Sequence, residues 1–130
     1  AIYIANRTLA KAKALADAAQ SNIEIHAVHY DDIPTEAFDL IINGNSAGLQ
    51  GDLPELHSET VSTNTWCYDM IYGVGDTQFQ TWAKALQAER ALDGLGMLVE
   101  QAAESFRIWR GHDPQTAPVI RDLRRLLAQA

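Results

Sequence analysis

The 130-residue sequence is poor in cysteine and has no long apolar run. Its single cysteine, Cys67, excludes an internal disulfide and is typical of a protein from a reducing compartment. No apolar stretch approaches the ~18 residues that a transmembrane helix needs. The first residues lack the basic start and the cleavage site of a signal peptide, so we expect a cytoplasmic protein with no membrane partner.

Positive charge is scarce as well. Ten lysines and arginines stand against 17 aspartates and glutamates, which leaves a net charge of −7. The deficit lies in residues 21–106, which carry −12, whereas residues 1–20 carry +2 and residues 107–130 carry +3. Such a field is unfavourable for nucleic acid, although a small basic spot can still hold a small anion.

Residues for metal or nucleophile chemistry are poorly placed. The one close histidine pair is His26 and His29, and in an extended segment these side chains point to opposite faces. Ser46 lies in no recognisable nucleophile elbow. We expect no metal site and no nucleophilic enzyme.

Apolar runs alternate with helical spacing, which predicts an α/β fold with a mostly parallel, Rossmann-like sheet and flanking helices. The predicted strands are 1–5, 23–28, 40–43, 65–70 and 91–93. The predicted helices are 8–19, 77–89, 96–109 and 114–127. Thr77 caps the second of these, and Val119, Leu123, Leu126 and Leu127 of the last face inward. The usual first strand and its G-x-G-x-x-G turn are missing from this pattern.

Ligands of parallel sheets bind at the carboxyl ends of the strands. Here four loops follow strand ends, after Ala5, Asn43, Asp69 and Asp93, and they are rich in glycine, asparagine, serine and threonine. We therefore expect the functional site in these loops.

The first loop carries an arginine where many nucleotide-binding proteins have an acid. At this position an acid favours NAD, whereas an arginine accommodates the 2′-phosphate of NADP. Arg7 and Lys11, with the Asn6 and Thr8 side chains, suit a phosphate at a helix N-terminus. In the second interpretation Asn6 or Thr8 caps the helix and the two cations are solvated, and the motif alone leaves both open.

The other loops offer a flat ring close approach to the backbone. The small residues of 43–48 and Gly94 permit such an approach, and Met70 suits contact with a ring. Tyr72 has a hydroxyl for a substrate, and Gln101 falls one to two turns into the next helix. Each also has an ordinary interpretation as a turn, a surface tyrosine or a solvent-facing glutamine.

Taken together, the motifs resemble shikimate dehydrogenase, the NADP-dependent enzyme of aromatic amino-acid biosynthesis. They occur in the family's order over most of the chain: Asn6-Arg-Thr-Leu-Ala-Lys-Ala, Phe38-Asp-Leu-Ile-Ile-Asn43, Ser46-Ala-Gly48, Tyr68-Asp-Met-Ile-Tyr72, Thr77-x-Phe79 and Asp93-Gly-Leu-Gly-Met-Leu-Val-x-Gln-Ala102. The sequence departs from the family at Lys11, where relatives often carry arginine, and at Asn45, where they often carry threonine.

The resemblance implies reversible, NADPH-dependent reduction of 3-dehydroshikimate to shikimate. The implied cofactor-binding residues are Asn6, Arg7, Thr8, Lys11, Asn43, Ser46, Met70 and Gly94. The implied substrate-binding residues are Tyr72 and Gln101. There are two alternatives: a paralogue that uses NAD on quinate or shikimate, and a catalytically silent nucleotide-binding module. Relatives that use NAD tend to carry an acid near the position of Arg7. Residues 6–13 contain no acid, which favours NADP.

The resemblance also implies that this chain is a C-terminal portion. Residues 1–95 would form a partial NADP-binding domain, and the helices of 96–130 would pack on an N-terminal substrate domain that precedes it. The family's catalytic lysine and aspartate lie in that domain, so we expect no catalytic residue and no turnover here. A sheet without its first strand leaves the edges 1–5 and 40–43 unpaired, which favours a homodimer or a swapped assembly.

Overall fold

The computed structural model describes residues 1–19, 22–45, 53 and 55–129. The chain divides into two compact units, Ala1–Ala37 with Pro54–Thr60 and Phe38–Leu53 with Val61–Ala130. Helices and parallel strands alternate in both, which confirms the predicted α/β fold. No helix within the described ranges has the length and apolar character needed to cross a membrane.

The first unit is a two-stranded parallel sheet with one long helix. Strand β1 (Ile2–Ala5) pairs with β2 (Ile25–Val28), Ile2 lying opposite Ile25. Helix α1 (Leu9–Ala18) connects them and packs on both strands, burying the small side chain of Ala12 completely. Because a parallel pair needs such a crossover, the loop after β1 leads directly into the N-terminus of α1.

The second unit is a three-stranded parallel sheet in the order β3-β4-β5. Its elements are β3 (Leu40–Asn43), β4 (Trp66–Asp69), α2 (Gln78–Ala85), β5 (Arg90–Leu92), α3 (Leu95–Arg110) and α4 (Thr116–Leu127). Since all three strands run the same way, the residues that follow them lie at one edge of this sheet.

The two faces of this sheet differ in coverage. Helix α2 packs on β4 and β5, and Cys67 and Phe79 are buried between these layers. The opposite face carries Leu40, Ile42, Trp66 and Leu92, whose side chains remain 40–58% exposed. Parallel strands normally have both faces covered, whereas the described residues of this unit cover only one face of the sheet.

Two unpaired strand edges agree with prediction. Within the described residues, β1 pairs only with β2, and β3 pairs only with β4, so the two strands are edges of separate sheets.

Two helix ends differ from prediction by more than one residue. Helix α2 ends at Ala85 rather than 89 because Gln87 adopts a left-handed φ of 60°. The Gln87 and Ala88 N–H groups then bond back to the Lys84 and Ala83 carbonyls, which closes the helix end. Helix α4 begins at Thr116, two residues later than predicted.

The predicted inward face of α4 is wrong at two positions. Val119 and Leu126 are 46% and 63% exposed, whereas Leu123 and Leu127 are half-buried. The helical spacing correctly marks one apolar stripe, but the described residues leave part of that stripe uncovered. Phe106, Ile108 and Trp109 near the end of α3 are exposed in the same way.

Candidate functional site

The loop between β1 and α1 is ordered by Asn6. The Asn6 Oδ1 accepts a 2.9 Å hydrogen bond from the Thr8 N–H, and the Asn6 N–H bonds to the Val28 carbonyl of β2 at 3.4 Å. The Asn6 side chain therefore shapes the turn while its amide group remains a donor. Arg7 lies at the tip of this turn with its side chain exposed.

The start of α1 is open to an anion. The Thr8 side chain makes no capping hydrogen bond to the helix, and the Asn6 oxygen bonds only the Thr8 N–H. Thr8 therefore occupies the N-cap position of α1 without using its side chain as a cap. Arg7 and Lys11 are exposed, and no ion pair with an acid engages either of them within the described part of the chain. Two free cations and uncapped N–H groups fit the charge of a phosphate.

At the carboxyl edge of the second sheet, Asn43 is buried rather than displayed. Its Nδ2 donates to Asp69 Oδ1 at 3.1 Å, and its Oδ1 accepts from the Asn45 N–H at 3.4 Å. Both ends of the amide hold the loop after β3 against the end of β4. Ser46, the other residue expected in this loop, lies outside the described residues.

Met70 and Gly94 are in direct contact across the ends of β4 and β5. A Cβ atom at Gly94 would lie 2.1 Å from the Met70 carbonyl oxygen, and the Gly94 N–H donates to the Ile71 carbonyl at 3.0 Å. The Met70 Sδ lies 3.2 Å from the position of a Cβ at Gly44. Met70 is 43% exposed between these two backbones, so its thioether is available to a ligand.

Tyr72 and Gln101 lie on different elements of this unit. Tyr72 follows β4 with its ring 41% exposed, and Gln101 is an exposed residue in the second turn of α3. No hydrogen bond connects either side chain to Asn43, Met70 or Gly94 among the described residues. The structure thus brings Asn43, Met70 and Gly94 together and leaves Tyr72 and Gln101 as separate exposed groups.

A hydrogen-bond network behind this edge was only partly foreseen. Asp69, 1% exposed, accepts from Asn43 Nδ2, from the Ile71 N–H at 3.1 Å and from Thr77 Oγ1 at 2.6 Å. The structure confirms the predicted cap of α2 by Thr77. The Gln80 side chain completes a capping box and donates to the Ala91 carbonyl of β5; the spacing T-x-x-Q is the signal that would have found it.

An ion pair between Asp93 and Arg124 was not predicted from the sequence. The Asp93 side chain is 1% exposed, and its carboxylate accepts a hydrogen bond from the Leu95 N–H. Both terminal nitrogens of Arg124, on α4, donate hydrogen bonds to the same carboxylate. This hydrogen bonding raises the pKa of the Arg124 guanidinium above its ordinary value. The pair borders an open depression of about 410 Å³ that Met97 and Ile120 also line.

No group of metal-ligating side chains occurs among the described residues. Cys67 is buried against α2, and burial raises the pKa of its thiol to about 11. A protonated, enclosed thiol is a core group and not a nucleophile.

A parallel α/β sheet with flanking helices, whose candidate ligand groups follow the strand ends, defines a Rossmann-like fold. The particular relationship comes from the sequence: the chain matches the C-terminal part of shikimate dehydrogenases. Residues 94–124 match the family described as shikimate 5′-dehydrogenase C-terminal domain. The chain is 51% identical over 95% of its length to the shikimate dehydrogenase (NADP(+)) of Alkalilimnicola ehrlichii.

Solved structures agree with this relationship. An Ael1 enzyme from Pseudomonas putida superposes with a TM-score of 0.83 at 40% identity over 93% of this chain and 44% of that one. A shikimate dehydrogenase in complex with NADP+ superposes with a TM-score of 0.76 at 28% identity, over 97% of this chain and 46% of that one. The chain spans 45% of the length of the Alkalilimnicola protein.

Proposed function

We propose that this chain is the C-terminal, cofactor-binding portion of an NADP-dependent shikimate dehydrogenase. The complete enzyme would interconvert 3-dehydroshikimate and shikimate in the cytoplasm, with NADP supplying the hydride chemistry when it is bound. The observation that carries the proposal is the 51% identity to a shikimate dehydrogenase (NADP(+)), which extends over 95% of this chain.

The loop after β1 supports the choice of cofactor. Arg7 and Lys11 are exposed cations beside an uncapped helix start, and Asn6 shapes the turn that carries Arg7. These groups fit the 2′-phosphate that distinguishes NADP from NAD, because guanidinium groups bind phosphate oxygens in pairs. In this proposal Asn6, Arg7, Thr8 and Lys11 bind the adenosine end.

The edge of the second sheet supports the roles near the nicotinamide. Met70 packs against Gly44 and Gly94 and is 43% exposed, so its thioether can lie against a flat ring. Asn43 acts by holding the loop that contains Ser46. The exposed hydroxyl of Tyr72 and the amide of Gln101 then serve to bind the hydroxyl groups of the substrate.

The acid–base groups of the reaction would come from the remaining part of the enzyme. The relatives have more than half of their length outside the region that this chain matches. We assign the exposed residues Phe106, Ile108, Trp109, Val119 and Leu126 to the surface that packs on that part. Produced alone, the chain would be inactive, and its unpaired β1 and β3 edges would favour a dimer or a swapped assembly.

The test is turnover by the complete protein that contains this chain. NADPH formation is followed by absorbance with shikimate or quinate as substrate, each with NADP or NAD. Turnover confined largely to shikimate with NADP supports the proposal. Preference for quinate or NAD would identify a paralogue, and binding of NADP without any turnover would identify a silent module.

A further inference from the structure

A seven-residue loop, 70–76, carries Met70 and Tyr72 and is closed at its base by two side chains. Asp69 ends β4 immediately before the loop, and Thr77 precedes α2 immediately after it. The Thr77 hydroxyl donates to Asp69 Oδ2 at 2.6 Å, the usual length of a hydrogen bond from a hydroxyl to a carboxylate. This contact fixes the separation of the two ends of the loop.

Asp69 also fixes the first residues of the loop. Its Oδ1 accepts from the Ile71 N–H and from Asn43 Nδ2, both at 3.1 Å. The Met70 N–H bonds to the Asn43 carbonyl, and the Ile71 carbonyl accepts from the Gly94 N–H, each at 3.0 Å. The loop is therefore connected to the ends of β3 and β5 at its start and to α2 at its end.

A carboxylate that is 1% exposed is expensive to bury when every donor to it is neutral. All the donors to Asp69 among the described residues are an amide, a backbone N–H and a hydroxyl. An apolar residue here would avoid that desolvation cost but would leave these three donors without a partner. The buried carboxylate therefore holds the loop in one geometry, at a cost in the free energy of unfolding.

We infer that Asp69, together with the Thr77 hydroxyl, positions the loop 70–76 for substrate binding. The inference rests on the proposed function, because it takes Tyr72 as a substrate contact. Asp69 touches neither substrate nor cofactor in this account and acts only through the loop. Loosening the contact should therefore weaken substrate binding and leave the choice between NADP and NAD, which depends on Arg7, unchanged.

Thr77 has two functions that substitutions can separate. Its hydroxyl oxygen accepts from the Gln80 N–H at 3.1 Å and so caps α2, and its proton goes to Asp69. Thr77→Ser keeps both functions. Thr77→Asp keeps an oxygen that caps the helix, since aspartate is a preferred N-cap residue, but it cannot donate and it repels Asp69.

Thr81 provides the matched control. It lies one turn further along α2, is exposed, and donates only to the Thr77 carbonyl at 3.0 Å. Thr81→Asp therefore adds the same charge to the same helix and leaves the hydrogen bond between the Thr77 hydroxyl and Asp69 in place. The three variants and the wild type are made in the complete protein, and KM for shikimate, kcat and the NADP-to-NAD preference are measured.

We expect Thr77→Asp to raise KM for shikimate by roughly tenfold, as loss of one hydrogen bond to a charged group implies. Its cofactor preference should match that of the wild type, and Thr77→Ser and Thr81→Asp should keep a wild-type KM. An unchanged KM in Thr77→Asp, with or without a lower kcat, overturns the inference, because a merely destabilised protein loses active molecules and not affinity. A wild type that turns over no substrate refutes the proposed function and this inference with it.

Discussion

Replacing Gly94 by alanine tests the close approach between the ends of β4 and β5. An alanine Cβ would lie 2.1 Å from the Met70 carbonyl oxygen and 2.6 Å from its carbon, whereas real Cβ contacts are essentially never under 3.0 Å. The backbone must then move by about 0.9 Å, the difference between 2.1 and 3.0 Å. Because the obstacle is backbone, no side-chain rotation can relieve it.

The expected cost follows from what that movement disturbs. Forcing an extra methyl into a filled space costs typically about 1–3 kcal/mol. The Gly94 N–H bond to Ile71, now 3.0 Å, is strained at the same time and is worth roughly 1 kcal/mol. We therefore expect Gly94→Ala to lower the free energy of unfolding by about 2–4 kcal/mol. A displacement near 1 Å beside Met70 can also reduce kcat/KM by up to ~100-fold.

The assay is denaturant unfolding and steady-state kinetics of the complete protein, with Gly96→Ala as the matched control. A Cβ at Gly96 meets nothing within 4 Å, and this residue lies inside α3, where alanine favours the helix by roughly 0.5–1 kcal/mol over glycine. The same substitution two residues apart should thus change stability in opposite directions. Equal stability of the two variants would refute the assignment of Gly94 as a required close approach.

Three further substitutions test other parts of the molecule. Arg7→Ala should weaken NADP binding by roughly 1.5–3 kcal/mol per lost charged contact and leave NAD binding unchanged. Fluorescence titration measures both affinities, with Lys13→Ala as the control. Equal losses for both cofactors would contradict the assignment of Arg7 to the phosphate. Arg124→Met leaves the Asp93 carboxylate buried without a cation and should lower the free energy of unfolding by about 2–4 kcal/mol. This value is below the usual cost of breaking a buried ion pair because the arginine is half-exposed to solvent. Arg125→Met, the control, breaks a surface pair with Asp122 and should change stability very little. Burial raises the pKa of the Cys67 thiol to about 11, so the folded protein should lose stability as the pH rises from about 9 toward 11. Denaturant titrations over this pH range should show a smaller loss of stability in Cys67→Ala than in the wild type. An identical loss in both proteins would exclude Cys67 as its source.

The strands and most helix starts could be predicted from local patterns. Runs such as Leu40–Asn43 and the cap at Thr77 are set by residues within a few positions of each other, and the structure confirms them. The end of α2 could not be predicted, because Gln87 enters the left-handed region without the glycine that normally indicates it. The helix ends early because of a backbone conformation, and the pattern of apolar and polar side chains does not predict that conformation.

The candidate site was harder to predict where its contacts join distant residues. Asp93 and Arg124 lie 31 positions apart, and nothing in the spacing of either indicates the other. Asn43 shows the opposite problem: its place at a strand end was predicted correctly, but the pattern could not show that both ends of its amide are engaged within the protein. A polar residue at a strand end is equally compatible with binding a ligand and with holding a loop.

The uncovered face of the β3-β4-β5 sheet decides where these experiments are informative. Its side chains, among them Ile42 and Trp66, are about half exposed, although the strands have the two-sided apolar pattern of fully covered parallel strands. Contiguous apolar surface of this kind promotes association, so the unfolding of the chain alone would report that surface as well as the substituted residue. We propose that the remaining part of the enzyme packs on the helices α3 and α4. If it also covers this sheet face, the complete protein should unfold at a higher denaturant concentration than the chain alone, and its unfolding should not depend on protein concentration. A residue whose substitution has the same cost in both forms then acts within this unit, and one whose cost appears only in the complete protein acts through the part that covers it.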